Sequence, residues 1–393
     1  MTDKESKPLR IAIAAGGTGG HIMPALALAQ ALNNIGRPVK VDFVCGNRPV
    51  ELDIYAKAGI KPMVLSVGAT SGTPLQKLWQ RVALGFSFLK FLLLARRYDV
   101  MVGMGGYITA PVLTAACFAR VPYILHDSNT VLGRVNRILA PKAPTTALER
   151  VIRIFGSEAT ALALGLPLAQ IPEKVFANRL HVIGTPVRLF IAKGDRKEAA
   201  KEMYLNPDAF TLFINGGSLG ARGLNQLMAQ TLGVLSASWP NDVPMQVIWS
   251  TGQANFEGTR EALAAQPVKG QVFLAPSIER MDLAYSLTNL VICRAGGSTL
   301  AEMLLCGLPS ILFPLPIAAE DHQRHNALAL VKEGAAILLD EREVDAKRVA
   351  SEIVKLVKDA KRLRKMANAA RKMASPDAAR DLASIVVRAT EKR

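Results

Sequence analysis

Paired cysteines are missing from this chain. Its four cysteines, Cys45, Cys117, Cys293 and Cys306, are scattered with no CxxC spacing. That argues against a disulfide framework or a zinc site and for a reducing compartment. Long apolar runs are missing too, since none reaches the ~18–20 residues needed to span a bilayer. The run Leu9–Ala15 is short and leads into glycines, so it reads as a first strand and not as a signal-peptide core. A soluble or surface-bound protein is expected. Acidic residues are under-represented: 48 Lys and Arg against 32 Asp and Glu leave a net charge of +16. Such an excess favours an anionic partner. No aromatic–basic recognition motif accompanies it, so nucleic acid is not expected.

What is present is a repeated strand–glycine turn–helix unit. Leu9–Ala15 precedes Gly16-Gly17-Thr18-Gly19-Gly20-His21, and an alanine- and leucine-rich helix is predicted from about Pro24 to Leu32. Val39–Val44, Val100–Met104 and Tyr123–Leu125 read as further buried strands. A comparable series starts at Phe210–Asn215 with the turn Gly216-Gly217-Ser218-Leu219-Gly220-Ala221. It continues through Met245–Ser250, Val272–Leu274, Leu290–Cys293 and Ser310–Phe313. Strands alternating with helices imply right-handed βαβ units and parallel sheets. The 393 residues thus suit an α/β fold of two Rossmann-like domains with parallel sheets facing across a cleft. The domains are predicted at 7–186 and 187–374, with a last helix at about 375–393 packing back on the first.

A glycine turn between a parallel strand and a helix aims backbone N–H groups and the helix dipole at an anion. Four such clusters occur: 16–20, Gly103-Met104-Gly105-Gly106-Tyr107, 216–220, and Arg294-Ala295-Gly296-Gly297-Ser298-Thr299. The first is not a dinucleotide fingerprint, because Ile22 stands where the third glycine is required, and 216–220 also fails the pattern. None is a P-loop, because no Gly-Lys-Ser/Thr follows. They read as phosphate loops of another kind. Glu302, one helical turn beyond the fourth, is placed to accept the hydroxyls of a ribose; the plainer reading is a glutamate at a helix start.

In order along the chain, these residues resemble the MurG family of peptidoglycan N-acetylglucosaminyltransferases, which have the GT-B fold. The matching segments are Gly16–Ala25, Gly103–Tyr107 with Pro111, Gly216–Ala221, Arg294–Glu302 and Gln323-Arg324-His325-Asn326-Ala327. His126-Asp127-Ser128-Asn129 is similar to the family's His-Glu-Gln-Asn, with 127 and 128 substituted. The resemblance implies inverting transfer of GlcNAc from UDP-GlcNAc to an undecaprenyl-diphosphate-linked MurNAc-pentapeptide, lipid I, giving lipid II. It further implies an acceptor- and membrane-associating first domain and a donor-binding second domain. Ser218 and its neighbouring amides would hold the donor diphosphate, with Gly297, Ser298, Thr299, Leu300 and Ala301 lining the site and Glu302 on the ribose. Ile278 and Arg188 would lie near the nucleotide, and Gln323 and Asn129 would contact the sugar. Thr18, Gly19 and Gly20 would face the reaction centre, and Gly105, Gly106, Tyr107 and His126 would belong to the acceptor side.

Inverting transfer requires a base for the acceptor hydroxyl and stabilisation of the departing diphosphate. No two aspartates lie two apart, so the Asp-x-Asp metal-ligand pair is missing. No metal or cofactor is expected. Leaving-group charge would fall to loop amides, helix N-termini and Arg188. His21 is the candidate base, because it follows the first loop and imidazole titrates near neutrality; helix capping or contact with the acceptor diphosphate are its alternatives. His322 and His325 have no third ligand nearby for a metal.

The segment Leu75–Arg97 carries apolar residues at helical spacing, with Lys77, Arg81, Lys90, Arg96 and Arg97 among them. Trp79, Phe86 and Phe91 are the expected contacts to an anionic membrane surface. Together with the resemblance, this implies a peripheral protein at the cytoplasmic face of the bacterial inner membrane. Rival readings are another GT-B transferase with a different lipid or small-molecule acceptor, a nicotinamide oxidoreductase, and a non-catalytic binding scaffold.

Overall fold

The computed structural model describes residues 7–65, 74–171, 175–217 and 220–391, with backbone alone for 74–81, 148 and 319. The chain forms two compact units, Met1–Arg188 with Asp377–Arg393, and Leu189–Pro376.

In the first unit the strands are β1 Leu9–Ala14, β2 Val39–Cys45, β3 Met63–Val64, β4 Val100–Gly103, β5 Tyr123–Asp127, β6 Ala161–Leu164 and β7 Leu180–Val182. They pair in the order β3-β2-β1-β4-β5-β6-β7, with every pairing among the described residues parallel. β4 and β5 are wholly buried, as expected where helices cover both faces. One face packs Leu113, Ala116 and Phe91; the other packs Ile22, Leu26 and Leu28. The helix Ala378–Glu391 adds Leu382, Ile385 and Val386 to that second face and lies against the helix Gly19–Leu32.

In the second unit the strands are β8 Phe210–Asn215, β9 Met245–Ser250, β10 Gln271–Ala275, β11 Leu290–Cys293, β12 Ser310–Leu312 and β13 Ala336–Leu338. Their order is β10-β9-β8-β11-β12-β13, again parallel. Leu212, Trp249, Ile292 and Phe313 pack with Leu224, Met228 and Ile353 from the covering helices.

Both sheets reverse strand order at one point, between β1 and β4 and between β8 and β11. Open α/β sheets bind ligands at this switch point, beyond the carboxyl ends of the strands. The four glycine clusters follow β1, β4, β8 and β11, the four strands that flank the two switch points.

Two local expectations need correction. The first helix begins at Gly19 and not at Pro24, with Thr18 as its N-cap residue. Pro24 therefore sits inside the helix, where it removes the bond to the carbonyl four residues back. The second correction concerns Phe91. The helix Pro74–Ala95 packs on the helix Thr109–Ala119, with Phe88 edge-on to Phe118 at 5.9 Å. Phe91 is 0% exposed and belongs to the core, whereas Phe86 is 69% exposed. Five residues turn a helix through about 140° beyond one full circle, so the two phenylalanines face different ways. The exposed stripe is Val82, Phe86, Leu89 and Leu93. The side chain of Trp79 lies outside the described residues.

Candidate functional site

In the first unit, the exits of β1 and β4 are tied together. His21 stands in the first turn of its helix and its Nδ1 lies 3.0 Å from the carbonyl oxygen of Gly16. A carbonyl only accepts, so Nδ1 carries the proton, and in the neutral ring Nε2 is then the basic nitrogen. The imidazole lies against the second loop: a β-carbon on Gly105 would come within 2.6 Å of its Cδ2. Gly105 and Gly106 have φ of +101° and +83°, and a β-carbon on Gly106 would collide with the Gly16 carbonyl. Only glycine satisfies both the backbone conformation and the close approach at these two positions. The amides of Gly19 and Gly20 belong to the first helical turn, whose N–H groups have no acceptor within the helix.

At the end of β5, Asp127 is occupied by structure. Its Oδ1 accepts from the backbone N–H of Asn129 at 3.1 Å and from Asn129 Nδ2 at 3.2 Å; its Oδ2 accepts from Gly133 N–H at 2.8 Å and Asn136 Nδ2 at 3.0 Å. Asp127 builds the turn that holds Asn129 and is poorly placed to act as a base. The neighbouring His126 is completely buried. Burial lowers its pKa to about 4, with nearby Asp127 and the Gly184 backbone opposing and His21 adding to the fall. His126 is therefore neutral at pH 7. Ser128 Oγ and Asn136 Oδ1 beside it are buried polar atoms with no hydrogen-bond partner among the described residues.

A pH dependence follows. Between the unfolded pKa near 6.5 and the folded value, the unfolded chain binds a proton that the native state refuses. This stabilisation is present above pH 6.5 and is lost as pH falls toward 4, by about 3 kcal/mol over the full range. Replacing His126 by Gln should remove that part of the slope in urea midpoints measured from pH 7 to pH 4; an unchanged slope would count against it.

In the second unit, the loop after β8 is anchored by Gly217 N–H donating to Asn215 Oδ1 at 2.9 Å. Gly220, at φ +72°, packs on Asn255 and the Thr251 carbonyl. Ser218 itself lies outside the described residues. The fourth cluster opens the helix Gly297–Cys306, with Gly296 as N-cap. Gly297, Ser298 and Thr299 form its first turn, followed by Leu300, Ala301 and Glu302. Tyr285 donates its hydroxyl to Glu302 Oε2 at 3.0 Å, which pins one oxygen of that carboxyl group. Arg294 is structural: it donates to the carbonyls of Phe313 and Pro314, each at 3.2 Å, and pairs with Glu341 at 2.7 Å. Those bonds tie the exit of β11 to the loop after β12.

That loop ends with Glu320 and Asp321 in left-handed backbone, φ 52° and 51°, just before the helix His322–Lys332. Two non-glycine residues held there cost roughly 1–3 kcal/mol each, and such strain gathers at ligand sites. Gln323 Oε1 accepts from Leu315 N–H at 3.0 Å. Asn326 Nδ2 donates to the Ala295 carbonyl at 3.0 Å. Ile278 sits half-buried in the loop after β10.

Ile278, Gly297–Glu302 and Gln323 thus gather beyond the carboxyl ends of the second sheet. Thr18–Gly20, His21, Gly105–Tyr107 and Asn129 lie beyond those of the first, His126 is buried within β5, and Arg188 ends the first unit. Among the described residues no three His, Cys, Asp or Glu side chains are grouped to hold a metal ion. A cavity of about 410 Å³ lies elsewhere, at the opposite end of the second sheet among Ile191, Phe210, Asn289, Pro309, Leu363 and Arg371. Sequence reasoning missed Glu51, Arg48 and Tyr285. Glu51 is 0% exposed and bonds to Tyr107, a contact across 56 residues. Its one local signal is its place as a lone acid in the first turn of the helix Pro49–Lys57.

Comparisons with known proteins agree with this geometry. Residues 11–148 match the glycosyltransferase family 28 N-terminal domain, and residues 211–382 its C-terminal domain. A Desulforamulus reducens protein named UDP-N-acetylglucosamine–N-acetylmuramyl-(pentapeptide) pyrophosphoryl-undecaprenol N-acetylglucosamine transferase is 33% identical over 388 residues, covering 96% of this chain and 98% of the relative. A protein of the same name from Ectopseudomonas mendocina is 34% identical over 383 residues, covering 95% and 97%. The chain belongs to the MurG family of family 28 glycosyltransferases. The crystal structure of Acinetobacter baumannii MurG superposes with a TM-score of 0.71 at 24% identity, over 97% of this chain and 99% of that one. A UDP-GlcNAc 2-epimerase from Neisseria meningitidis bound to UDP-GlcNAc shares the fold at TM-score 0.64 and 12% identity, covering 97% of this chain and 100% of that one. A MurG-family chain with two parallel α/β units is the GT-B arrangement expected from the sequence.

Proposed function

We propose that this chain is the UDP-GlcNAc-dependent N-acetylglucosaminyltransferase of peptidoglycan synthesis. It transfers GlcNAc with inversion to undecaprenyl-diphosphate-linked MurNAc-pentapeptide, lipid I, and forms lipid II. The observation that carries this reading is full-length similarity to proteins named for that reaction. The glycine clusters at both switch points supply the anion-binding machinery it needs. A different lipid or small-molecule acceptor is not favoured by these relatives.

The second unit takes the donor. The amides after β8 and at the start of the helix Gly297–Cys306 receive the diphosphate, Glu302 the ribose hydroxyls, Ile278 the base, and Gln323 the sugar. The first unit takes the acceptor diphosphate on the loops after β1 and β4, with Thr18, Gly19, Gly20 and Asn129 toward the reacting sugar. His21 Nε2 accepts the proton of the acceptor hydroxyl as that oxygen attacks the donor's anomeric carbon. UDP leaves with the bonding pair, its charge met by amide dipoles and Arg188. Neutral His126 adds no charge that would oppose protonation of His21. No metal or other cofactor is assigned to these steps. The test is transfer of radiolabel from UDP-GlcNAc into a butanol-extractable lipid when lipid I is supplied; absence of labelled lipid with intact protein refutes the reading.

The same reading makes the protein peripheral on the cytoplasmic face of the inner membrane. No helix among the described residues is long and apolar enough to cross a bilayer. The stripe Val82, Phe86, Leu89 and Leu93, with exposed Lys90, Arg96 and Arg97 on the same segment, fits an anionic lipid surface. Phe86→Ser with Leu93→Ser should lower co-sedimentation with vesicles of mixed anionic and neutral phospholipid several-fold at unchanged urea stability. Phe91→Ser, by contrast, should lose roughly 3–5 kcal/mol of stability, the cost of emptying a buried phenylalanine site. Wild-type sedimentation by the first variant would remove the stripe as the anchor.

A further inference from the structure

We propose that Glu51 is a positioning residue for the transfer, holding the exits of β1, β2 and β4 in one register. The proposal rests on the reading that the loops after β1 and β4 serve the acceptor. Glu51 reaches all three exits from the first turn of the helix Pro49–Lys57. Its Oε2 accepts from Gly46 N–H at 2.7 Å, and its Oε1 accepts from the Tyr107 hydroxyl at 2.8 Å. It also abuts Gly16, where a β-carbon would come within 2.7 Å of Oε2. The Tyr107 ring is covered by the Arg48 guanidinium, 4.7 Å from its centroid, and its hydroxyl fills the space a side chain on Gly46 would take.

These contacts form a chain that ends on the candidate base. Tyr107 directly follows Gly105 and Gly106, which press on the His21 ring and the Gly16 carbonyl; that carbonyl fixes the His21 tautomer. A carboxyl group with no exposed surface is an expensive way to fill space, because an apolar side chain of similar volume avoids the desolvation. What an apolar residue cannot do is accept from a backbone N–H and a phenol at once. Glu51 thereby sets where Tyr107, Gly16 and hence His21 stand, without touching either substrate.

Four variants test this, each followed by acceptor kinetics, donor affinity and urea stability. Glu51→Ala should lower kcat roughly 10- to 100-fold, the scale expected of a misplacement near 1 Å, with UDP-GlcNAc affinity within about 2-fold of wild type. Glu51→Gln should recover most of the loss, because its carbonyl accepts from Gly46 and its NH2 donates to the Tyr107 oxygen. Tyr107→Phe should show a smaller loss that does not add to Glu51→Ala in the double variant. A folded Glu51→Ala enzyme with wild-type kcat, or losses that multiply in the double variant, would overturn the proposal. If Glu51→Ala does not fold, wild-type kinetics in Tyr107→Phe overturn it instead. Gly106→Ala separates this proposal from the reading beneath it. Unchanged acceptor kinetics there mean that the loop does not serve the acceptor at all. A large loss there beside an unaffected Glu51→Ala sinks only the positioning role.

Discussion

His21→Ala is expected to lower kcat by about 10²–10⁴-fold, the usual contribution of a positioned general base, while UDP-GlcNAc affinity stays within a few-fold of wild type. The expectation comes from tautomer and placement together. The Gly16 carbonyl requires a proton on Nδ1, so the lone pair is on Nε2, the atom turned toward the second glycine loop. Helix capping, the simpler role for a histidine here, belongs to the position of Thr18, three residues earlier. Contact with the acceptor diphosphate predicts another result: His21→Ala would then raise acceptor KM more than it lowers kcat. Steady-state kinetics with each substrate varied separates the two, and near-normal turnover would dismiss His21 as the base. His21→Asn keeps a donor toward the Gly16 carbonyl but supplies no base, so it should be as slow as the alanine variant.

Much of this placement was legible in the residues themselves, for a physical reason. Parallel strands covered on both faces appear as largely apolar runs. β1, β4, β8 and β11 read that way with a glycine cluster after each, and β2, β5, β9, β10 and β12 by apolar content despite polar residues such as Lys40, Asp42 and Gln246. β6 escaped because Ala161-Leu162-Ala163-Leu164 has the composition of a helix, and β3 and β13 because two or three residues leave no period to detect. The start of the first helix was hidden by the glycines at 19 and 20, which are poor helix formers yet necessary where another backbone comes close. Phe91 was misplaced because apolar character reports burial or exposure to lipid equally well; only packing against the helix Thr109–Ala119 decides between them. Glu51 was invisible because its partners lie 5 and 56 residues away on strand exits that only the sheet order brings together.

The second large effect is expected at Glu302. Glu302→Ala should raise the Kd for UDP-GlcNAc by roughly 10- to 100-fold, because hydrogen bonds to a charged group contribute about 1.5–3 kcal/mol. The geometry gives this carboxyl group one fixed oxygen, held by the Tyr285 hydroxyl, and a position one turn into the helix that opens on Gly296. A ribose with adjacent hydroxyls suits such an acceptor. Removing Glu302 also strips a partner from a hydroxyl that is almost completely buried, so some loss of stability accompanies the variant. Tyr285→Phe distinguishes the two effects. It removes the anchor and keeps the carboxyl group, so it should weaken donor binding less than Glu302→Ala. Calorimetric titration with UDP-GlcNAc and with UDP reads the ribose contribution directly, since both ligands carry it and should lose affinity in parallel. If UDP-GlcNAc weakens while UDP does not, Glu302 acts on the sugar and the ribose role fails; if neither changes, the carboxyl group only orders the start of its helix.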